Sequence, residues 1–458
     1  MINALLPDII NKRLLFGLLG AFLVLWALPI PAAPLYVVLA LHALRGPRQT
    51  VEAIALMFLL LMGNGAVLPG GSKSMRWLVL LAGFVRALWE LLQGYRLPSS
   101  SATLRWLTLF FLLMLPLTWV SSKIPLISVL KLVSFFAGTV ALLVSFMRTG
   151  SLRAYWQSWF TTYFVFIIGA SLLVFLAGIG YERNGMGFQG VFGHPQLMGP
   201  IMGTVAAWLW GLYMMRGERS LLILGSGILA LFFLYISQAR TGALAIGAGF
   251  IVAYLIFFLR GRMISFDRRS RGILAMLLVG LVFYSVLRTE ELQTMIVSFT
   301  QKRTYQADVS GLVQESRGAL IQKSMDNFSR NPLLGIGLGV PSDYDFGSST
   351  AGQETFWGLP LSASVEKGFL PTAVLEEMGL VGAVFTLIFI FSVITTVVQQ
   401  GSFINLWFVW SVFFINIGEA VFYSLGGMGL YVWIMIGLCI NQGITDVLKK
   451  AQTLSKAA

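Results

Sequence analysis

The chain has 458 residues, of which 57% are hydrophobic and only 11% charged. That composition cannot cover a water-soluble globule and points to a chain that lives in a bilayer. The formal net charge of +13 would suit a nucleic-acid binder only as a basic face on a soluble domain. Here most of the Lys and Arg residues fall in breaks between apolar runs, so no nucleic acid is expected as a partner. A single cysteine, Cys439, and two histidines, His42 and His194, exclude an internal disulfide and a multi-histidine zinc site.

In chain order, apolar runs that can cross about 30 Å of hydrocarbon as helices occupy residues 14–30, 32–45, 51–68, 76–94, 104–121, 124–147, 157–179, 198–215, 220–237, 241–259, 273–288, 369–397, 403–421 and 426–445. Lys12 and Arg13 before the first run resemble the start of a signal peptide. No small-residue cleavage site follows and a second apolar segment comes at once, so a retained helix is expected. Pro29, Pro31 and Pro34 make the first two runs either a tight hairpin or one broken helix. The expected fold is an all-α polytopic integral membrane protein of about 12–14 transmembrane helices. Residues 1–288 hold the first spans, 289–368 one large extracytoplasmic loop, and 369–458 the C-terminal helices and a cytoplasmic tail.

Alternate loops carry Arg45 and Arg48, Arg96 and Arg105, Arg148 and Arg153, Arg216 and Arg219, and the cluster Arg260, Arg262, Arg268, Arg269 and Arg271; Lys449, Lys450 and Lys456 close the chain. The positive-inside rule then places both termini in the cytoplasm. Two segments face outward, residues 180–199 and the long loop, whose aromatic, charged and turn-forming residues suit an ordered cap.

Charges within apolar runs are costly and are functional candidates by default. Arg86 and Glu90 stand four apart on one helix, which also suits a structural pair, and Lys131 and Glu419 lie in other spans. Arg240, in Ser237-Gln238-Ala239-Arg240-Thr241-Gly242, falls at an outer helix end, where it can face an anionic headgroup or snorkel to the interface. Arg317 precedes the glycine-rich run Asn331 to Gly339, which permits close backbone approach but matches no phosphate loop. Glu366 and Lys367 stand just before re-entry at Gly368, followed by Glu376 and Glu377. A carboxylate at the mouth of a membrane pocket can act as general base, while acidic residues at a helix start also suit its dipole. His194 and Gln196 precede a helix, where a histidine serves as cap or catalyst.

The segments Gly190 to Gly199, Ser237 to Gly242, Arg317 with Asn331 to Gly339, and Leu375-Glu376-Glu377-Met378-Gly379-Leu380-Val381-Gly382, in that order, resemble the O-antigen ligase and polysaccharide polymerase family. The resemblance implies a multi-pass glycosyltransferase of the bacterial inner membrane that takes saccharides from a polyprenyl pyrophosphate carrier to an acceptor glycan. No cofactor, nucleotide sugar or metal is implied, and other polysaccharide assembly proteins are further partners. By that resemblance Arg240 and Arg317 hold the pyrophosphate, a role suited to planar, permanently charged guanidinium groups. His194, Gln196, Lys367, Glu377 and Arg86 are expected to bind substrate. The family's usual loop histidine is absent from Ser364-Val365-Glu366-Lys367-Gly368-Phe369-Leu370, so Glu366 is the expected base, and a polymerase or chain-transfer role is preferred to ligation onto lipid A. The competing reading is a transporter or flippase of a lipid-linked or anionic solute, using the intramembrane charges as its path. A catalytically inactive scaffold of an export complex is a third.

Overall fold

The computed structural model describes residues 9–28, 30–69, 74–94, 102–181, 187–215, 220–261, 318–342, 355–356, 359–360 and 367–441. Among them fourteen α-helices follow in order. These are α1 Lys12–Ala27, α2 Ala32–Leu44, α3 Pro47–Met62, α4 Arg76–Leu92, α5 Ala102–Ser121, α6 Pro125–Arg148, α7 Arg153–Leu176, α8 Pro195–Met215, α9 Leu221–Ile236, α10 Arg240–Leu259, α11 Ala319–Arg330, α12 Leu370–Gln400, α13 Phe403–Gly418 and α14 Met428–Asn441. A two-residue ribbon pairs Thr355–Phe356 with Leu359–Pro360. Helices α5, α6, α7, α8, α10 and α12 are long and apolar enough to cross hydrocarbon unaided. The chain is an all-α polytopic membrane protein, as its hydropathy requires.

Local chemistry sets many of the helix ends. Asn11, Ser220 and Ser402 accept from the backbone N–H groups of Leu14, Leu222 and Asn405, which satisfies donors that a helix start leaves unpaired. Pro47 and Pro125 open α3 and α6, where a missing N–H costs nothing. The first two runs are two separate helices, Lys12–Ala27 and Ala32–Leu44. The run over 51–68 is helical only to Met62, because the backbone beyond it turns aside to pair with the 190s: Asn64 N–H donates to Val191 O at 2.8 Å and Gly193 N–H to Met62 O at 2.9 Å. The run at 273–288 and, within the 289–368 loop, residues 289–317, 343–354, 357–358 and 361–366 lie outside the described residues.

The bundle has two distinguishable ends. One gathers Arg45, Arg48, Arg148, Arg153 and Arg260; we call it the basic end. Its buried carboxylates are satisfied locally. Glu52 takes His42 Nε2 at 2.9 Å, Arg48 Nε at 3.2 Å and the Tyr155 hydroxyl, while Glu90 takes Arg86 and, at 2.8 Å, Arg148. The opposite end gathers the 187–194 segment, residues 333–340, the helix start after Gly368 and the turn 419–427; we call it the glycine-rich end. Between them lies an aromatic core in which Trp433 contacts Phe135, Phe389 and Phe422 and donates its indole N–H to Phe422 O at 2.7 Å. That bond satisfies a carbonyl in a non-helical segment that could not be left bare in hydrocarbon.

Candidate functional site

The glycine-rich end is assembled by backbone-to-backbone approach. Helices α8, α10 and α13 pack together through small residues: a Cβ on Gly203 would stand 2.8 Å from Gly242 O, and one on Gly418 2.2 Å from Thr241 Oγ1. Residues that small let apolar helices approach closely enough to gain van der Waals contact. The same contacts seat the turn 237–239 against α8, since a Cβ on Gly199 would lie 2.3 Å from the Ala239 methyl. Phe188 N–H donates to Ile236 O at 3.0 Å. Gln238 holds φ at +56°, the one non-glycine residue with positive φ among those described. Such a conformation persists only where surroundings impose it, and it clusters at functional sites.

This turn delivers Arg240 to the first position of α10. A cation there opposes the helix dipole by about 0.3–1 kcal/mol, whereas an anion is favoured. Beside it, His194 caps α8: its Nδ1 accepts from Gln196 N–H at 3.1 Å and its carbonyl from Leu197 and Met198 N–H. In the neutral ring the proton therefore resides on Nε2. Gln196 is exposed. His194, Gln196 and Arg240 are thus brought to one neighbourhood. Glu419, directly after Gly418 and half-buried, is at the same crossing.

A second part of this end is built around a break in α12. Gly379 has φ +62° and ψ −162°, a region that only glycine enters readily. An unbroken helix would pair the N–H groups of Leu380 and Val381 with the carbonyls of Glu376 and Glu377. The loop after α11 takes both sides of that exchange. Ile336 and Gly337 N–H donate to Glu376 O and Glu377 O at 2.8 and 3.0 Å, while Leu380 and Val381 N–H donate to Pro332 O and Leu333 O at 2.9 and 3.2 Å. Four bonds replace two, so a helix can be interrupted near the membrane without orphaned groups. A continuous span over 369–397 was expected. The difference arises because nothing in Glu-Glu-Met-Gly-Leu-Val forbids a helix, and the break exists only with its docked loop.

The acidic side chains just before the break are clamped. Glu376 is fully buried and accepts from Ser324 Oγ and Asn327 Nδ2, both at 2.7 Å; Asn327 also donates to Ser342 O at 2.9 Å. The Lys367 ammonium, 3% exposed, lies 2.9 Å from Glu376 Oε2 but off the hydrogen-bonding direction, so charge rather than a well-aligned bond joins them. Glu377 points to another partner, Lys131 on α6, with Nζ at 3.1 and 3.3 Å from its two oxygens. Lys123 N–H donates to Ile336 O at 2.9 Å, which ties the α5–α6 turn to the same loop.

The structure therefore brings His194, Gln196, Arg240, Lys367 and Glu377 to the same end. Arg86 is placed elsewhere, beside Glu90 at the basic end. Arg317 and Glu366 lie outside the described residues. Ser324 and Asn327 escaped the sequence reading, although their i,i+3 spacing on the amphipathic α11 marks one polar face. Arg76 also escaped it; its guanidinium packs on Gly426, where a Cβ would meet Nη1 at 2.4 Å. No group of three or more His, Cys, Asp or Glu that could hold a metal occurs among the described residues.

Residues 225–387 match the O-antigen ligase family. The O-antigen ligase match begins within α9, includes Arg240, Arg317 and the 331–339 loop, and ends beyond the Gly379 break. It agrees with the resemblance carried by the short motifs and supports an O-antigen ligase or polymerase type of function. No curated protein matches the chain.

Proposed function

We propose that the protein is a membrane glycosyltransferase of the polymerase type, which transfers a saccharide from a polyprenyl pyrophosphate to an acceptor glycan in O-antigen, capsule or exopolysaccharide assembly. The observation that carries this reading is the placement of Arg240, within the O-antigen ligase match, on a helix start that repels cations and attracts anions, presented by a strained turn beside His194 and Gln196. A pyrophosphate gains from both the guanidinium and the helix N-terminus.

In this reading an acceptor hydroxyl attacks the anomeric carbon while the bond from that carbon to the pyrophosphate oxygen breaks, an inverting displacement in form. The electron pair leaves on the pyrophosphate, which Arg240 and Arg317 stabilise. Glu366 takes the hydroxyl proton. Lys367 and Glu377 act at one remove, because their charges are committed to Glu376 and Lys131 and hold the segment that follows Glu366. No metal is assigned a part. By the positive-inside rule the basic end faces the cytoplasm, with both termini, and the glycine-rich end faces the outer side of the inner membrane.

The test is the lipid-linked saccharide profile of a deletion strain complemented with wild type, Arg240→Ala, Arg317→Ala and Glu366→Gln, with membrane levels checked for each. Single repeat units should accumulate and polymer disappear in the deletion and in each variant. Repeat units trapped on the cytoplasmic face would instead identify a transporter, and full polymer from a well-expressed Glu366→Gln would remove that residue as base.

A further inference from the structure

A cavity of about 200 Å³ lies between α1, α2, α3 and α7, with walls that include Phe22, Leu25, Leu39, Leu56, Leu68 and Val191. It exists because α1 leans on α7 while α2 packs on α3 and α4, so the first helix stands off from the second and third. Only Leu15 and Phe22 of α1 are buried. All the residues that line the cavity are apolar. A water needs two to four polar partners, and an apolar cavity of about 150 Å³ stays dry yet accepts benzene, so this one suits a hydrocarbon occupant.

Which hydrocarbon follows from where the slot ends. Leu68 and Val191 close it at the glycine-rich end, and the backbone there is one hydrogen-bonded unit: Asn64 to Val191, then Gly193 to Met62. Three residues beyond Val191 stands His194, and α8 then carries Gly199 against Ala239, next to Arg240. A chain lying in the slot has its end beneath the segment that leads to the cationic turn. Along the outer surface of α1 and α2, Phe16, Leu23, Val24, Val37, Val38 and Leu41 are exposed, so the slot is flanked by lipid-facing helices that allow entry from the side.

We infer that this slot holds part of the isoprenoid tail of the lipid-linked saccharide, entering between α1 and α2 and running towards the 190–194 segment. The inference rests on the function proposed above and adds the place of the tail. A phospholipid acyl chain shares the chemistry, but nothing would require its headgroup to lie next to Arg240.

The experiment uses the full chain in nanodiscs of phosphatidylethanolamine and phosphatidylglycerol, with two photoreactive probes: a polyprenyl phosphate bearing a diazirine in its tail, and a phosphatidylethanolamine bearing one in its acyl chain. The polyprenyl probe should label peptides from α1, α2 and α3, and unlabelled polyprenyl phosphate should compete. Ala21→Trp, which fills the slot from the exposed face of α1, should cut that labelling about tenfold, the scale expected for losing contact worth roughly two methylenes. Leu39→Phe is the second filling variant should Ala21→Trp not fold, and Phe16→Ala, outside the slot, should leave labelling unchanged. Equal labelling by the phospholipid probe without competition, or labelling indifferent to both filling variants, overturns the inference. Saccharide transfer by wild type with no polyprenyl label in the slot sinks the tail site alone. Label in the slot with no transfer by wild type sinks the proposed reaction and leaves the slot standing.

Discussion

Gly379→Ala tests whether the helix break is built as described. A Cβ at this position would lie 2.3 Å from Leu333 C and O and 2.5 Å from Leu334 N, so the loop backbone must retreat. An alanine held at the native φ and ψ would cost about 1–3 kcal/mol in conformational strain. Displacing the loop adds the loss of the four exchanged hydrogen bonds, at about 1 kcal/mol each. The substitution should therefore destabilise the protein by at least about 3 kcal/mol. For a chain of this size that lowers the melting temperature by at least several degrees, read by intrinsic tryptophan fluorescence of the detergent-solubilised protein. Leu333→Ala is the control: the residue is 63% exposed and the contact is made by its backbone, so it should melt within about a degree of wild type. A Gly379→Ala protein that melts like wild type would mean that α12 can run straight through and that the docked loop is not part of the fold.

Other expectations follow from the buried charges. Glu376→Gln removes the carboxylate that stands 2.9 Å from the buried Lys367 ammonium and should cost about 3–5 kcal/mol, measured by the same melts. Lys367→Met combined with Glu376→Gln should recover part of that loss, and a double mutant no more stable than Glu376→Gln would show that the two charges are not coupled. Across α6 and α12, a double-mutant cycle with Lys131→Gln and Glu377→Gln should give a coupling of about 0.5–3 kcal/mol, whereas zero coupling would remove the clamp. Arg86→Ala should lower stability by about 1–3 kcal/mol, because Glu90 keeps only Arg148, while leaving saccharide transfer per folded molecule unchanged. A specific loss of transfer in that variant would bring the basic end into the chemistry.

The helices were legible because a bilayer demands long apolar runs and each helix satisfies its own backbone, so hydropathy alone locates them. Arg86 with Glu90 was legible for a similar reason, since an i,i+4 pair is a local property. The site was legible only in part. Arg240, His194 and Gln196 stand in short segments whose residue types already suggested a polar end. Nothing local joins Lys131 to Glu377, 246 residues apart, and a single sequence carries no signal for such pairs. The break at Gly379 was hidden because its hydrogen bonds come from the 332–337 loop, and a glycine among good helix formers reads as a tolerated residue. Glu376 read as an acidic helix start, and only its burial against Ser324, Asn327 and Lys367 shows it as a hub.

The central claim is that Arg240 stabilises a pyrophosphate leaving group, and the most direct measurement is transfer by the purified protein in vesicles supplied with a polyprenyl-pyrophosphate-linked oligosaccharide and an acceptor glycan. Wild type should form the extended glycan and release polyprenyl pyrophosphate. Arg240→Ala should lose about two to three orders of magnitude in rate, the scale of removing one donor to developing negative charge, and Arg240→Lys should recover only part because a point charge cannot bind two oxygens in a fork. Transfer at the wild-type rate by a folded Arg240→Ala protein, or no transfer by wild type with the intact donor, would contradict the account.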